Sequence, residues 1–149
     1  MNCALRGSDV VYHLAGETDV AYTASEGNAV QDELIREVGI AGTWNVIKSV
    51  PATCKLIFPS THVVFEGYTE PIFDITEDTY PCPVLTYSKG KVESEKDIRA
   101  QVPNHVIVRL GSVYGYSTDT MRIGIMPNLF SKIASQDCII ALAQGGIQH

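Results

Sequence analysis

The chain has 149 residues, a formal net charge of −6, 45% apolar residues and 19% charged residues. That is enough chain for one domain with a sizeable core. The acidic balance argues against a nucleic-acid partner, which wants a basic face, and no apolar run reaches the roughly 18 residues that a membrane span needs.

The first apolar segment is "DVVYHLAG" (9–16), a short run ending in glycine. It reads as a strand buried on both faces, as in a parallel sheet. Residues 26–50 read as a helix, with Val30, Leu34, Val38, Ala41 and Ile47 near a 3.6-residue period and Pro51 stopping the run. "CKLIFPST" (54–61) is a second buried strand. The stretch from His62 to Val84 is rich in proline, glycine and acids and reads as a long loop, a length often associated with function. A second helix is predicted over 86–100, a third strand running into a glycine turn over 105–115, a short helix over 127–133 and a last strand over 138–143. The alternation predicts an α/β parallel sheet with right-handed crossovers. Ligands of such sheets bind at the carboxyl ends of the strands, here "HLAG", "PST" and "RLGSVYG".

Tyr87 and Lys91 are four residues apart on a predicted helix, on one face. A free phenol titrates near pH 10 and is a poor acid or base at neutral pH. A neighbouring cation favours the phenolate and makes the proton available. Taken alone, the spacing fits equally a surface tyrosine whose helix neighbours make ion pairs. Ser60 and Thr61 end a buried strand, where a hydroxyl either donates to a substrate oxygen as charge develops on it or merely caps the strand end. His13 reads as a satisfied core histidine, and His62 as either a substrate-facing or a loop histidine. Asp74, Glu77 and Asp78 read as a solvated loop without metal-ligand spacing. Glu93, Glu95, Lys96 and Asp97 read as the exposed face of the second helix. Cys3, Cys54, Cys82 and Cys138 form no CxxC, and "MNCALRGSDV" lacks the apolar core of a signal peptide. Together these predict reduced thiols in a cytoplasmic protein.

Five motifs in order resemble the extended short-chain dehydrogenase/reductase family, the NAD-dependent epimerase/dehydratase group. "DVVYHLAG" resembles its fourth strand, and "GTWNVI" (Gly42–Ile47) the "GTxNLL" of the following helix. "STHVVFEG" (60–67) is similar to the "STDYVFDG" of the dTDP-4-dehydrorhamnose reductase branch. "YSKGKVESE" (87–95) resembles "YGxSKxxxE", and "VRLGSVYG" (108–115) resembles "LRPxxVYG". The resemblance implies a partial Rossmann-type, doubly wound parallel sheet over 1–115, its C-terminal half, and the beginning of a small substrate lobe over 116–149. It implies Tyr87 as general acid/base, Lys91 as the cation that lowers its pKa and holds the nicotinamide ribose, and Thr61 as the group polarising the substrate oxygen. Ser60 would lie next to the cofactor, Leu14, Ala15, Gly16 and Thr18 would line its path, and Leu110 would approach the nicotinamide. The cofactor would be NAD or NADP, the substrate a nucleotide sugar, and the assembly a homodimer through the two helices flanking the second strand.

The departures are specific. The family's GxxGxxG loop, which seats a pyrophosphate on a helix N-terminus, has no counterpart; the one glycine pair is Gly145–Gly146. The chain is therefore expected to start inside the fold and to bind a dinucleotide weakly or not at all. Gly39 stands where relatives have the asparagine of "NVxGT", and Gly90 where they have Ser or Thr. A non-catalytic fragment or degenerate relative serving as a binding or structural module is the alternative to an enzyme.

Overall fold

The computed structural model describes residues 5–17, 29–115, 117 and 125–136. The chain divides into two compact units, Met1–Leu110 and Gly111–His149. The first holds three parallel strands, β1 (Val10–Tyr12), β2 (Lys55–Thr61) and β3 (His105–Leu110), in the order β1-β2-β3. Helices α1 (Ala29–Leu34) and α2 (Gly42–Ile47) are joined without a break by a π-helical stretch, Ile35–Ala41. A 3₁₀ turn, His62–Phe65, follows β2, and α3 (Thr86–Gln101) precedes β3. In the second unit, α4 (Met126–Ala134) has proline in its first turn, where a missing N–H costs nothing. The strand expected over 138–143 lies outside the described residues.

The core is Ile47, Leu56, Phe58, Ile98 and Val102, with Val11, Trp44, Val50 and Ile107 packed around it. Burying each large side chain of this set contributes about 1.5–3 kcal/mol. Leu56 and Phe58 alternate along β2 and point to the helix-covered face, in register with His105 and Ile107 of β3. Pro103 ends α3: it forces the residue before it to extended geometry, and Val102 sits at φ −111°, ψ 98°.

The expectation that the first strand is buried on both faces is corrected, and the third strand is open on the same side. Val10 and Tyr12 on β1, and Val106, Val108 and Leu110 on β3, are 38–64% exposed. These side chains share one sheet face by register, with Ile57 and Pro59 between them. Helices α2 and α3 pack on the other face, so the apolar run is satisfied on one side. The first strand is also shorter than expected, ending at Tyr12, while β3 ends at Leu110, just before Gly111.

Candidate functional site

Because the strands are parallel, the residues following Tyr12 and the ends of β2 and β3, at Thr61 and Leu110, lie at one edge of the sheet. Tyr87 is the second residue of α3, and Lys91 follows one turn later. Lys91 Nζ lies 5.8 Å from the centroid of the Tyr87 ring and 4.7 Å from that of Phe58. Pro59 has no N–H for the ladder, and its carbonyl accepts from Lys91 Nζ at 3.0 Å. Burial pushes the Lys91 ammonium below its ordinary pKa, and the charge of Glu95 opposes that shift. Tyr87 and Lys91 line a small cavity of about 20 Å³ with Ala15, Gly16, Gly39 and Thr43, room for about one water.

His13 ties the end of β1 to the helix. Its Nε2 lies 2.9 Å from Thr43 Oγ1, and Thr43 donates to Gly39 O at 2.5 Å. A hydroxyl has one proton, so the proton between His13 and Thr43 belongs to His13 Nε2. Burial, then the Lys91 charge, lowers the His13 pKa and keeps the ring neutral. Gly39 thus serves through its carbonyl. At Gly90 a Cβ would already touch Ile40 Cγ1 at 3.4 Å and Ile35 Cγ2 at 3.7 Å, so the missing Ser/Thr side chain lets the π stretch approach α3.

Ser60 and Thr61 take different faces of the sheet. Ser60 Oγ donates to Glu95 Oε1 at 2.5 Å. Glu95 is fully buried, which corrects its reading as part of an exposed helix face. Arg109 reaches it through Nε at 3.1 Å and through a terminal nitrogen at 2.8 Å, and Arg99 at 3.1 Å. Burial alone would raise the Glu95 pKa. The hydrogen bonds from Arg109 and Ser60 and the charges of Arg109 and Arg99 outweigh it and hold the carboxyl below its ordinary value. Thr61 Oγ1 accepts from Val63 N at 3.3 Å, which caps the 3₁₀ turn and leaves its own O–H to donate.

The site therefore brings together Tyr87, Lys91, Ala15 and Gly16. Leu14 is 74% exposed, and neither it nor Leu110 lines the cavity. Thr18 lies outside the described residues. His62 is exposed, with Nδ1 3.1 Å from Leu110 O, and Asp74, Glu77 and Asp78 are exposed. No group of three or more potential metal ligands occurs among the described residues. Cys54 and Cys82 are free thiols. No described helix is long and apolar enough to cross a membrane. A larger cavity of about 410 Å³, bordered by His62, Phe65, Glu77, Arg99 and Arg109, contains none of the residues expected to be catalytic. Sequence reasoning missed Thr43, Glu66 and the Glu95–Arg109 pair. Glu95 had a readable signal: it lies four residues beyond Lys91 and eight beyond Tyr87, on the same stripe of α3.

Parallel strands with a Tyr–Lys pair at their carboxyl ends define an α/β, Rossmann-like domain. The RmlD substrate binding domain family matches residues 4–136, and the chain belongs to that family. It is 29% identical over 137 residues to a probable low-salt glycan biosynthesis reductase of Haloferax volcanii, covering 88% of this chain and 42% of that protein. Among solved structures it resembles a UDP-glucuronic acid 4-epimerase of Bacillus cereus in complex with UDP-glucuronic acid and NAD. The identity is 26%, the TM-score 0.71, and the match covers 92% of this chain and 42% of that one. It also resembles a dTDP-4-dehydrorhamnose reductase of Clostridium acetobutylicum at 25% identity and TM-score 0.66, covering 88% of this chain and 45% of that one. The chain thus spans less than half the length of these relatives.

Proposed function

We propose that the chain supplies the strand-end half of the active site of an NAD(P)-dependent reductase or epimerase acting on a nucleotide sugar. The observation that carries this reading is the Tyr87–Lys91 pair facing Ala15 and Gly16 at the carboxyl edge of the sheet. A phenol beside a half-desolvated cation can exchange a proton with a substrate hydroxyl. Thr61, whose oxygen already accepts from Val63 N, has its proton to give to the substrate oxygen. Ser60 is held by Glu95 and steadies the strand end instead of meeting substrate.

The residues fit a nicotinamide group in kind. Gly16 opens to free space where a Cβ would stand, Ala15 is small, and Lys91 offers N–H donors to ribose hydroxyls. Leu14, Ala15, Gly16, Thr18 and Leu110 would hold its path together with Tyr87 and Lys91. Bound there, NAD or NADP would supply hydride exchange with a substrate carbon. The small cavity volume requires the ligand to lie across the cavity mouth. The reading extends to a cytoplasmic protein that pairs with a second copy through the helices on either side of β2.

The test is turnover of a nucleotide sugar with NAD(P)H by the protein that carries this chain. Tyr87→Phe is expected to lower kcat by about 10²-fold with cofactor affinity little changed. Equal kinetics in the two proteins would remove Tyr87 from the reaction.

A further inference from the structure

Residues 62–85 bring the chain from the end of β2 to the start of α3, and two seams close that loop. Thr61 begins the 3₁₀ turn by accepting Val63 N–H. Six residues after Thr61, the Gly67 N–H donates to Cys82 O at 2.8 Å, and Cys82 N–H donates back to Val64 O at 2.8 Å. A Cβ on Gly67 would stand 2.5 Å from Cys82 O and 2.7 Å from Cys82 Sγ, so the approach needs glycine. At the mouth of α3 the N-cap residue is Leu85, whose apolar side chain can satisfy none of the free N–H groups of the first turn. Glu66, from outside the helix, takes the N-cap N–H itself and holds the first turn through the Ser88 side chain. Its Oε1 accepts from Val84 N at 2.8 Å, from Leu85 N at 2.7 Å and from the Ser88 hydroxyl. In an ordinary capping box the residue three positions into the helix reaches back to the N-cap N–H. Here that position is Ser88, and the carboxylate comes from 19 residues earlier than Leu85. A negative charge at this end also suits the helix dipole.

We infer that Glu66 is a positioning residue for Tyr87. It binds the first turn of α3 to the turn that Thr61 begins, and so fixes the phenol relative to the Thr61 hydroxyl. This rests on the proposed roles of Tyr87 and Thr61. Reactive groups displaced by about 1 Å lose up to roughly 10²-fold in rate, so a clamp here acts on kcat and leaves substrate affinity alone.

Two readouts test it in Glu66→Ala and Glu66→Gln: amide hydrogen exchange, and kcat and KM for the nucleotide sugar. Glu66→Ala is expected to speed exchange at Val84 and Leu85 by about 10-fold or more while Leu56 and Phe58 are unchanged. It should also lower kcat by about 10-fold or more with KM within about 2-fold. Glu66→Gln, which keeps an acceptor oxygen, should restore most of both. Loss of protection at Val84 and Leu85 with unchanged kcat would overturn the inference, as would equal loss in kcat for the Gln and Ala variants. Should Glu66→Ala fail to fold, Ser88→Ala removes one of the three donors. A kcat several-fold lower at unchanged KM then supports the clamp, and an unchanged kcat overturns it. Tyr87→Phe leaves the exchange readout intact, so an active Tyr87→Phe protein refutes the role of Tyr87 without touching the cap itself.

Discussion

Arg109→Ala is expected to be among the most damaging single changes outside the apolar core. Glu95 is fully buried and accepts four hydrogen bonds, from Ser60, Arg99 and twice from Arg109. Its side chain is 0% exposed, that of Arg109 15% and that of Arg99 46%. The substitution removes two of the four donors and the better buried of the two cations. Removing one partner of a buried ion pair costs about 3–5 kcal/mol, because the other charge stays buried. Arg99 remains, which places the cost near the lower end, about 3 kcal/mol. Loss of the Arg109 contact with the Phe65 ring, 5.2 Å from its centroid, adds about 0.5 kcal/mol. With a urea dependence of about 2 kcal/mol per molar, the unfolding midpoint should fall by about 1.75 M at unchanged slope. The double variant Glu95→Leu with Arg109→Met removes both charges and should recover much of that loss, since no orphaned charge remains. A cost below about 1 kcal/mol for Arg109→Ala, or a double variant no better than the single, would refute this account of the buried pair.

Other outcomes follow from the same structure. Because the Glu95 pKa is lowered on folding, its stabilisation is present above the ordinary carboxylate value. That stabilisation is lost as pH falls through the lowered value, and acid unfolding of Arg109→Ala should move to higher pH. The His13 pKa is also lowered. The unfolded chain then binds the extra proton first, and stability should begin to fall as pH drops below the unperturbed value of 6.5. His13→Gln, which keeps a donor to Thr43, should flatten urea-midpoint measurements in that window. An unchanged slope would contradict a buried neutral His13. Gly67→Ala should cost about 1–3 kcal/mol, because its Cβ meets the Cys82 backbone at 2.5 Å; a thermal midpoint equal to the parent would show that the seam can widen.

How much was readable depended on the range of the forces. β2 and α3 were legible: an apolar run ending in "PST" and a stripe bounded by Pro103 carry their own period and stops. One face of β1 and β3 was not, because burial of Val10, Tyr12 and Val108 depends on what covers the sheet. Composition says only that these residues suit being covered. Glu95 looked like a solvated acid among Glu93, Lys96 and Asp97. Its burial depends on Ser60 and Arg109, 35 and 14 residues away, although its spacing from Lys91 and Tyr87 put it on the inward stripe. That stripe is small and polar, with Ser88, Gly90 and Ser94 buried beside it, which blurs the usual contrast between helix faces. The π stretch keeps enough of the helical period to pass as one helix. The Glu66 cap joins residues 18 to 22 apart, beyond any local pattern. The Tyr87–Lys91 pair was legible because its geometry is one helical turn.

The central claim is that the strand-end residues around Tyr87 and Lys91 meet a nicotinamide. Titrating the isotope-labelled chain with NADH and NADPH, while following backbone amide shifts, tests it most directly. The account predicts progressive shifts at Ala15, Gly16, Tyr87 and Lys91, with a dissociation constant weaker than about 0.1 mM. Shifts confined to the His62–Arg109 cavity, or no shift at Gly16 and Tyr87 at several millimolar cofactor, would contradict it.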